Sequence, residues 1–286
     1  MASAFSGHLG ELADSVEKEL FSATEKENLT GVPGRLGESM RYALTNGGKR
    51  VRPVLVLAAC EAIGGRADSA MPAALAIEAL HTYTLVHDDM PCMDDDTLRR
   101  GQPTVHVKFG YAEAVLAGDA LQAFAFDLLS RLNVPAERKL KVFQELSAAA
   151  GPAGVIGGQW EDVTSLPPHS AEQIEYIHNH KTADLIRCSV RMGAHIAGAD
   201  SMRLDALTSY AVHLGIAFQI IDDLLDGADA GGDGAPDLSC LEIWDADTAR
   251  AKAKEHTDAA MAALSPLGDS AADLLGLAGH LLIRKY

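Results

Sequence analysis

An all-α bundle is the fold this sequence predicts, on three observations. Alanine and leucine dominate a chain of 286 residues that is 48% hydrophobic but only 5% aromatic, with short β-branched runs. That balance favours helix over strand. Apolar residues recur at helical spacing over long segments. Glycine and proline breakers divide those segments and leave short connections, the pattern of a bundle. The length allows a substantial core, as one large domain or two small ones.

Taken in order, the periodicity predicts helices over about 3–27, 34–46, 50–63, 70–90, 111–131, 136–149, 151–163, 171–197, 203–227, 246–264 and 269–284. Gly31, Pro33 and Gly34 separate the first two, Gly64 and Gly65 close the third, and Pro91 follows the fourth. Pro103, Pro135, Pro167, Pro168, Gly198 and Pro266 mark the later boundaries. There is no repeat at fixed period and no extended linker. Residues 227–237, rich in glycine and aspartate, are predicted as a loop.

Charge narrows the function. The formal net charge is −16, from 24 Lys+Arg against 40 Asp+Glu. Such a surface repels nucleic acid and anionic lipid, so neither a nucleic-acid partner nor stable membrane insertion is expected. No uncharged apolar run reaches 18 residues, and the acidic N-terminal stretch lacks the features of a signal peptide. The cytoplasm is the expected compartment. Cys60, Cys92, Cys188 and Cys240 lie far apart and read as free thiols. Dinucleotide, P-loop, zinc-protease and serine-nucleophile signatures are absent; Gly47-Gly48-Lys49 lacks the flanking residues of a P-loop.

The chemistry lies in two carboxylate clusters. Asp88 and Asp89 end an apolar helix, and Asp94, Asp95 and Asp96 follow within nine residues, ahead of Arg99 and Arg100. Alone this is readable as a solvated acidic turn, but such repulsion calls for cations, and Mg²⁺ takes carboxylate oxygens together with substrate phosphates. Asp222, Asp223 and Asp226 interrupt a second apolar helix, with Asp222 and Asp226 four apart on one face. A helix C-terminus is the wrong end for bare aspartates. Facing each other, the clusters would hold a group of Mg²⁺ ions around one diphosphate. Lys49, Arg50 and Arg52 follow a glycine turn, with Lys49 and Arg52 expected on one helical face. His81 lies two turns before Asp88, and Lys181 and Thr182 sit mid-helix. Singly each has a bland reading; as a set they imply a second diphosphate held by Lys, Arg and His.

The segments GGKRVRP (47–53), HTYTLVHDDMPCMDDDTLRRGQPTVHVKFG (81–110), GDAL (118–121), GGQWED (157–162), HKT (180–182) and FQIIDDLLD (218–226) resemble the trans-isoprenyl diphosphate synthase (polyprenyl synthetase) family, specifically its bacterial farnesyl and geranylgeranyl group. The resemblance implies an all-α, single-domain bundle of the isoprenoid synthase type around a deep central cavity, as a homodimer. Residues 1–33 would be a peripheral helix and turn, and 227–244 an atypical loop region. It implies Asp88, Asp89, Asp94, Asp222, Asp223 and Asp226 as ligands of three Mg²⁺ ions, with Mn²⁺ as a substitute. Arg99, Lys181, Thr182 and Gln219 would contact the allylic diphosphate, and Lys49, Arg52, His81 and Arg100 would hold isopentenyl diphosphate. Asp88, Asp89, Asp94, Arg99, Lys181 and Asp222 form the implied catalytic set.

The implied reaction is ionisation, condensation and elimination on isoprenyl diphosphates, with no protein nucleophile. Tyr83, five residues before Asp88 with Thr84 beside it, would close the cavity and favour farnesyl diphosphate, geranylgeranyl diphosphate being the alternative. One departure stands out. Residues 227–244 contain no Lys or Arg where the family carries a loop lysine. Losing such a contact removes roughly 2–4 kcal/mol from the transition state. A weakly active or non-catalytic partner subunit and a class I terpene cyclase are therefore further alternatives; a cyclase has no use for the second diphosphate site.

Overall fold

The alanine-rich periodicity gives thirteen α-helices in a computed structural model that describes residues 7–165, 169–229 and 239–282, the side chains of 226–229 and 281–282 excepted. The first half contains α1 (Gly7–Ala23), α2 (Gly34–Thr45), α3 (Val51–Ala62), α4 (Ala67–Asp88), α5 (Val105–Phe109) and α6 (Tyr111–Ser130). The second contains α7 (Ala136–Ala150), α8 (Val155–Thr164), α9 (Ala171–Ile177), α10 (Asp184–Ala197), α11 (Ser201–Asp229), α12 (Ala246–Ala263) and α13 (Ala272–Leu282). Short 3₁₀ turns lie at Cys240–Glu242 and Ser265–Ala271.

The bundle is organised around α3 and α4. Ten of the twelve residues of α3 are buried, and α4 is buried on nearly every side by α3, α6 and α10. A helix enclosed in this way has no polar face to keep, which is why its sequence is apolar all round. Its alanines, Ala70, Ala73, Ala74, Ala76 and Ala79, leave room for neighbouring helices to approach. Leu55, Leu57, Ile77 and Leu80 are fully buried, each contributing about 1.5–3 kcal/mol. Helix α1 turns Leu9, Leu12, Val16 and Leu20 into the same core. In α11 the stretch Ser201–Leu225 is long and apolar enough to cross a membrane by composition alone, but half of it is buried within the bundle.

The eleven expected helices are all present, with four differences that bear on the site. The segment 171–197 is not one α-helix: a π-turn, His178–Ala183, joins α9 to α10. A two-stranded antiparallel hairpin, β1 (Leu98–Arg99) with β2 (Gln102–Pro103), occupies a stretch with no predicted strand, and α5 follows it. Helix α3 begins at Val51, so Lys49 lies in the preceding turn and does not share a helical face with Arg52. The last segment begins with a 3₁₀ turn, which delays α13 to Ala272. All four cysteines are free, and three of them are buried.

Candidate active site

The first half-site is built from a turn and a hairpin. Between α2 and α3 the chain passes through Gly47 and Gly48 at φ of 78° and 131°. Arg50 follows at φ 52°, a strained value for a non-glycine residue. Its buried guanidinium holds it there, donating to Glu17 at 2.6 Å, Glu78 at 2.5 Å and the Leu44 carbonyl at 2.8 Å. The sequence counted Arg50 among the cations available for an anion; its charge is instead neutralised by two glutamates, and it anchors the turn.

The first turn of α3 then presents Arg52, whose Nη1–H donates to His81 Nε2 at 3.3 Å. Burial, then Arg52 and Arg100, hold the His81 imidazole well below its usual pKa, so it is neutral. Arg52 Nε is buried without a hydrogen-bond partner, a donor waiting for an acceptor. In the β1–β2 hairpin the two turn residues, Arg100 and Gly101, take φ of 56° and 74°, as a type I′ turn requires. This conformation swings the Arg100 guanidinium back to the Gly47 carbonyl. A Cβ on Gly48 would lie 2.6 Å from Arg100 Nη1, so the approach needs glycine. The result is a cavity of about 920 Å³ lined by Lys49, Arg52, His81 and Arg100, with Phe218 and Asp222 of α11 opposite. Asp95, in the acidic turn, is the third non-glycine residue at positive φ among the described residues.

The second half-site lies on the other side of Arg52 and His81, which line both cavities. It encloses about 620 Å³ between α4, α6, α8 and the π-turn. Asp88, the last residue of α4, faces it, and burial pushes its carboxyl up to about 7 against the pull of Lys181, with Asp94 raising it further. Asp94 is raised by burial too, again against Lys181. The π-turn projects Lys181 into this acidic wall, where its ammonium donates to Asp162. A Cβ on Gly158 would sit 2.4 Å from the Lys181 backbone nitrogen, so that glycine lets α8 cross the π-turn closely. Burial lowers the Lys181 pKa, but Asp162, Asp88 and Asp94 outweigh it and leave it raised. Tyr83 is buried along the apolar wall, edge-on to His87 with ring centroids 5.7 Å apart, and burial pushes its phenol up to about 12. Thr84 lines the same wall, its hydroxyl donating to the His81 carbonyl at 2.8 Å.

The remaining expected residues divide. Thr182 Oγ1 donates to Gln219 Oε1 at 2.6 Å, and Gln219 Nε2 donates to Asp223 Oδ1 at 2.8 Å, linking the π-turn to α11. Asp222 faces the cationic cavity, whereas its neighbour Asp223 is turned into the protein, accepting from the Cys240 backbone N–H at 2.7 Å beside His178 at 3.4 Å. The Asp226 side chain and residues 230–238 of the atypical stretch lie outside the described residues. Asp89 is buried and takes Arg99 Nε at 2.5 Å, with Asp96 on the same guanidinium at 3.1 Å. That pair borders a small cleft beside the hairpin and lines neither large cavity.

Two residues were missed. Asp162 fixes Lys181, and Gln159, one turn earlier on α8, faces the acidic cavity with both amide atoms buried and unpartnered. Their three-residue spacing on an otherwise apolar helix face was the available signal. Chemically, the acidic wall offers only oxygen donors, which fits a hard divalent cation. Among the described residues its carboxylates do not close on one another as a set of three, so ions there would be shared with phosphate oxygens.

Comparison with known proteins shows the family and the fold. The profile of the Polyprenyl synthetase family matches residues 33–232. The chain is 42% identical over 286 residues to a chloroplastic geranylgeranyl pyrophosphate synthase of Catharanthus roseus, covering 95% of this chain and 79% of that one. It is 44% identical over 222 residues to a farnesyl diphosphate synthase of Geobacillus stearothermophilus, covering 76% and 74%. The apo crystal structure of an FPP/GFPP synthase from Zymomonas mobilis superposes with a TM-score of 0.86 at 38% identity, over 96% of this chain and 98% of that one.

Proposed function

The chain belongs to the Polyprenyl synthetase family, a prenyltransferase that condenses allylic diphosphates with isopentenyl diphosphate on an all-helical isoprenoid synthase fold, and we propose that it carries this elongation through to geranylgeranyl diphosphate. The observation that carries the assignment of roles is the pair of adjoining cavities, one cationic and one acidic, with Arg52 and His81 as their common wall. Lys49, Arg52, His81 and Arg100 hold the diphosphate of isopentenyl diphosphate, and the unpartnered Arg52 Nε gains its acceptor there. Asp88, Asp94 and Asp222, with Lys181, orient the allylic diphosphate at the edge of the apolar cavity. Bound there, Mg²⁺ ions (three, by the family resemblance, with Mn²⁺ as substitute) supply positive charge against the negative charge that builds on the leaving diphosphate.

Lys181 stays protonated among its carboxylates and adds a fixed positive charge to that oxygen cluster. Thr182 and Gln219 orient the same diphosphate, and Gln159 offers its free amide to it. Asp89 and Arg99 join by exchange, the guanidinium trading carboxylate for phosphate oxygens. By the family resemblance, Asp223 and Asp226 would be further Mg²⁺ ligands. The apolar wall excludes water, which would otherwise capture the allylic cation.

Product length has two supports pulling apart. Tyr83 beneath Asp88 favours fifteen carbons, the reading the sequence put first. The names of most of the similar curated proteins favour twenty. The cavity also runs along α8, where Ile156, Trp160 and Val163 are exposed, and Tyr83 does not close that side. Those residues form an i, i+4, i+7 stripe, and α6 carries exposed apolar residues of its own, Tyr111, Val115 and Leu116. A second copy of the chain covering this face would bury it, which supports a homodimer.

The test is a product assay with Mg²⁺, isopentenyl diphosphate and, separately, dimethylallyl, geranyl and farnesyl diphosphates. A twenty-carbon end product is expected. Arrest at fifteen carbons would return the assignment to a farnesyl synthase governed by Tyr83. No elongation from any starter by folded protein would point to the partner-subunit reading.

A further inference from the structure

Far from both cavities, three chain segments converge at the other end of α3. His8 and Glu11 stand at the start of α1, Glu61 at the end of α3 and Asp273 in the first turn of α13. His8 Nε2 lies 2.8 Å from Glu61 Oε2 and 3.9 Å from Asp273 Oδ2, and the three donor atoms all fall within 4.8 Å of one another. Tetrahedral bonds of the usual Zn–N and Zn–O lengths put neighbouring ligand atoms about 3.3 Å apart, a value these separations bracket. Each side chain keeps some exposure, so an ion can enter from solvent.

A second observation comes from the other ring nitrogen. His8 Nδ1 lies 3.4 Å from Glu11 Oε2. The carboxylate at Nδ1 orients the ring so that Nε2 points to Glu61 and Asp273, and the proton that Nε2 shares with Glu61 is the one an incoming ion would displace. This is how metal-ligating histidines are oriented by an outer carboxylate. Charge adds a third argument. Glu11, Glu61 and Asp273 form no ion pair with Lys or Arg among the described residues, and Glu61 sits at a helix C-terminus, where a carboxylate is disfavoured.

We propose that His8, Glu61 and Asp273 form a structural site for a divalent transition ion of the Zn²⁺ class, with Glu11 orienting the imidazole. One nitrogen and two carboxylates suit Zn²⁺ or Co²⁺, whereas Mg²⁺ prefers oxygen alone. The ion fastens α1 and α13 to α3. Because α1 also carries Glu17, which braces Arg50 and the turn of the cationic cavity, the fastening steadies that turn from the far end of the bundle.

The full chain, stripped with a chelator, is titrated with Co²⁺ and with Zn²⁺. Wild type and an Asp88→Asn/Asp222→Asn variant, which removes one carboxylate charge from each cavity, should both take one Co²⁺ with visible bands too intense for an all-oxygen octahedral ion. Saturating Zn²⁺ should raise the melting temperature of both by about 5 °C. His8→Ala and, independently, Asp273→Asn should lose the bands and the shift while keeping the helical circular dichroism of the wild type. Glu11→Gln should weaken binding about 10-fold or more. Bands and shift that survive in folded His8→Ala or Asp273→Asn, or that are lost in Asp88→Asn/Asp222→Asn, would overturn the proposal. So would their absence from wild type, leaving the cluster a plain histidine–carboxylate ion pair.

Discussion

In the roles proposed for them, the two cavities would solve the same problem, holding a diphosphate on a chain of net charge −16, in opposite ways. The cationic one is assembled in advance: Arg50 is locked by two glutamates, Arg100 by the turn it folds over, and Arg52 by His81. The acidic one is assembled only in part. Its carboxylates are buried against their preference, and Lys181 and Arg99 offset that burial only in part, which on the proposed reading leaves room for further cations. The difference teaches that fixed cations suit a substrate that only has to be held. Exchangeable ones suit a group whose charge changes during the reaction.

The largest expected effect breaks the acidic side. Asp88→Asn should lower kcat by about 10²–10³ while binding of isopentenyl diphosphate is kept, as steady-state kinetics and calorimetry would report. Next is the scaffold of the cationic side. Arg50→Met leaves Glu78 buried without its partner and should destabilise the fold by about 3–5 kcal/mol in denaturant melts. Arg52→Lys retains the charge but loses the fork. It should raise KM for isopentenyl diphosphate roughly 10-fold with kcat little changed.

A control lies in neither cavity. Burial would raise Glu145, but His195 at 3.2 Å and Arg191 at 2.8 Å outweigh it and hold the carboxyl down at about 2. A depressed acid contributes stability that is present above its unfolded pKa of about 4.5 and is lost as pH falls toward about 2. Glu145→Gln should therefore flatten the acid limb of the stability curve in that window, by on the order of 1–2 kcal/mol, without altering product length. The smallest effect on turnover is expected of Tyr83→Ala, which should shift product chains longer while truncation of the buried ring lowers stability by about 3 kcal/mol or more.

Much of this was legible beforehand, because helical periodicity and carboxylate repulsion are local properties. Asp88, Lys181, Arg52 and His81 were identified by residue type and spacing, and they line the two cavities, while Asp94 lies within the electrostatic reach of Lys181. What was not legible depends on distant partners. Arg50 looks like Arg52 in GGKRVRP, and only Glu17 and Glu78, 33 and 28 residues away, separate their roles. Asp223 looks like Asp222, but successive helical residues point about 100° apart, and Cys240 claims the second. The π-turn left no trace because one extra residue in a helical turn changes neither composition nor apolar content.

The contrast between the cavities is tested most directly by calorimetry on the full chain, with and without Mg²⁺. The ligands are isopentenyl diphosphate and a non-ionisable thio analogue of an allylic diphosphate. The account predicts that isopentenyl diphosphate binds within about threefold of its Mg²⁺-replete affinity after chelation, whereas the analogue loses about 100-fold or more. Equal dependence of both ligands on Mg²⁺, or independence of both, would contradict it.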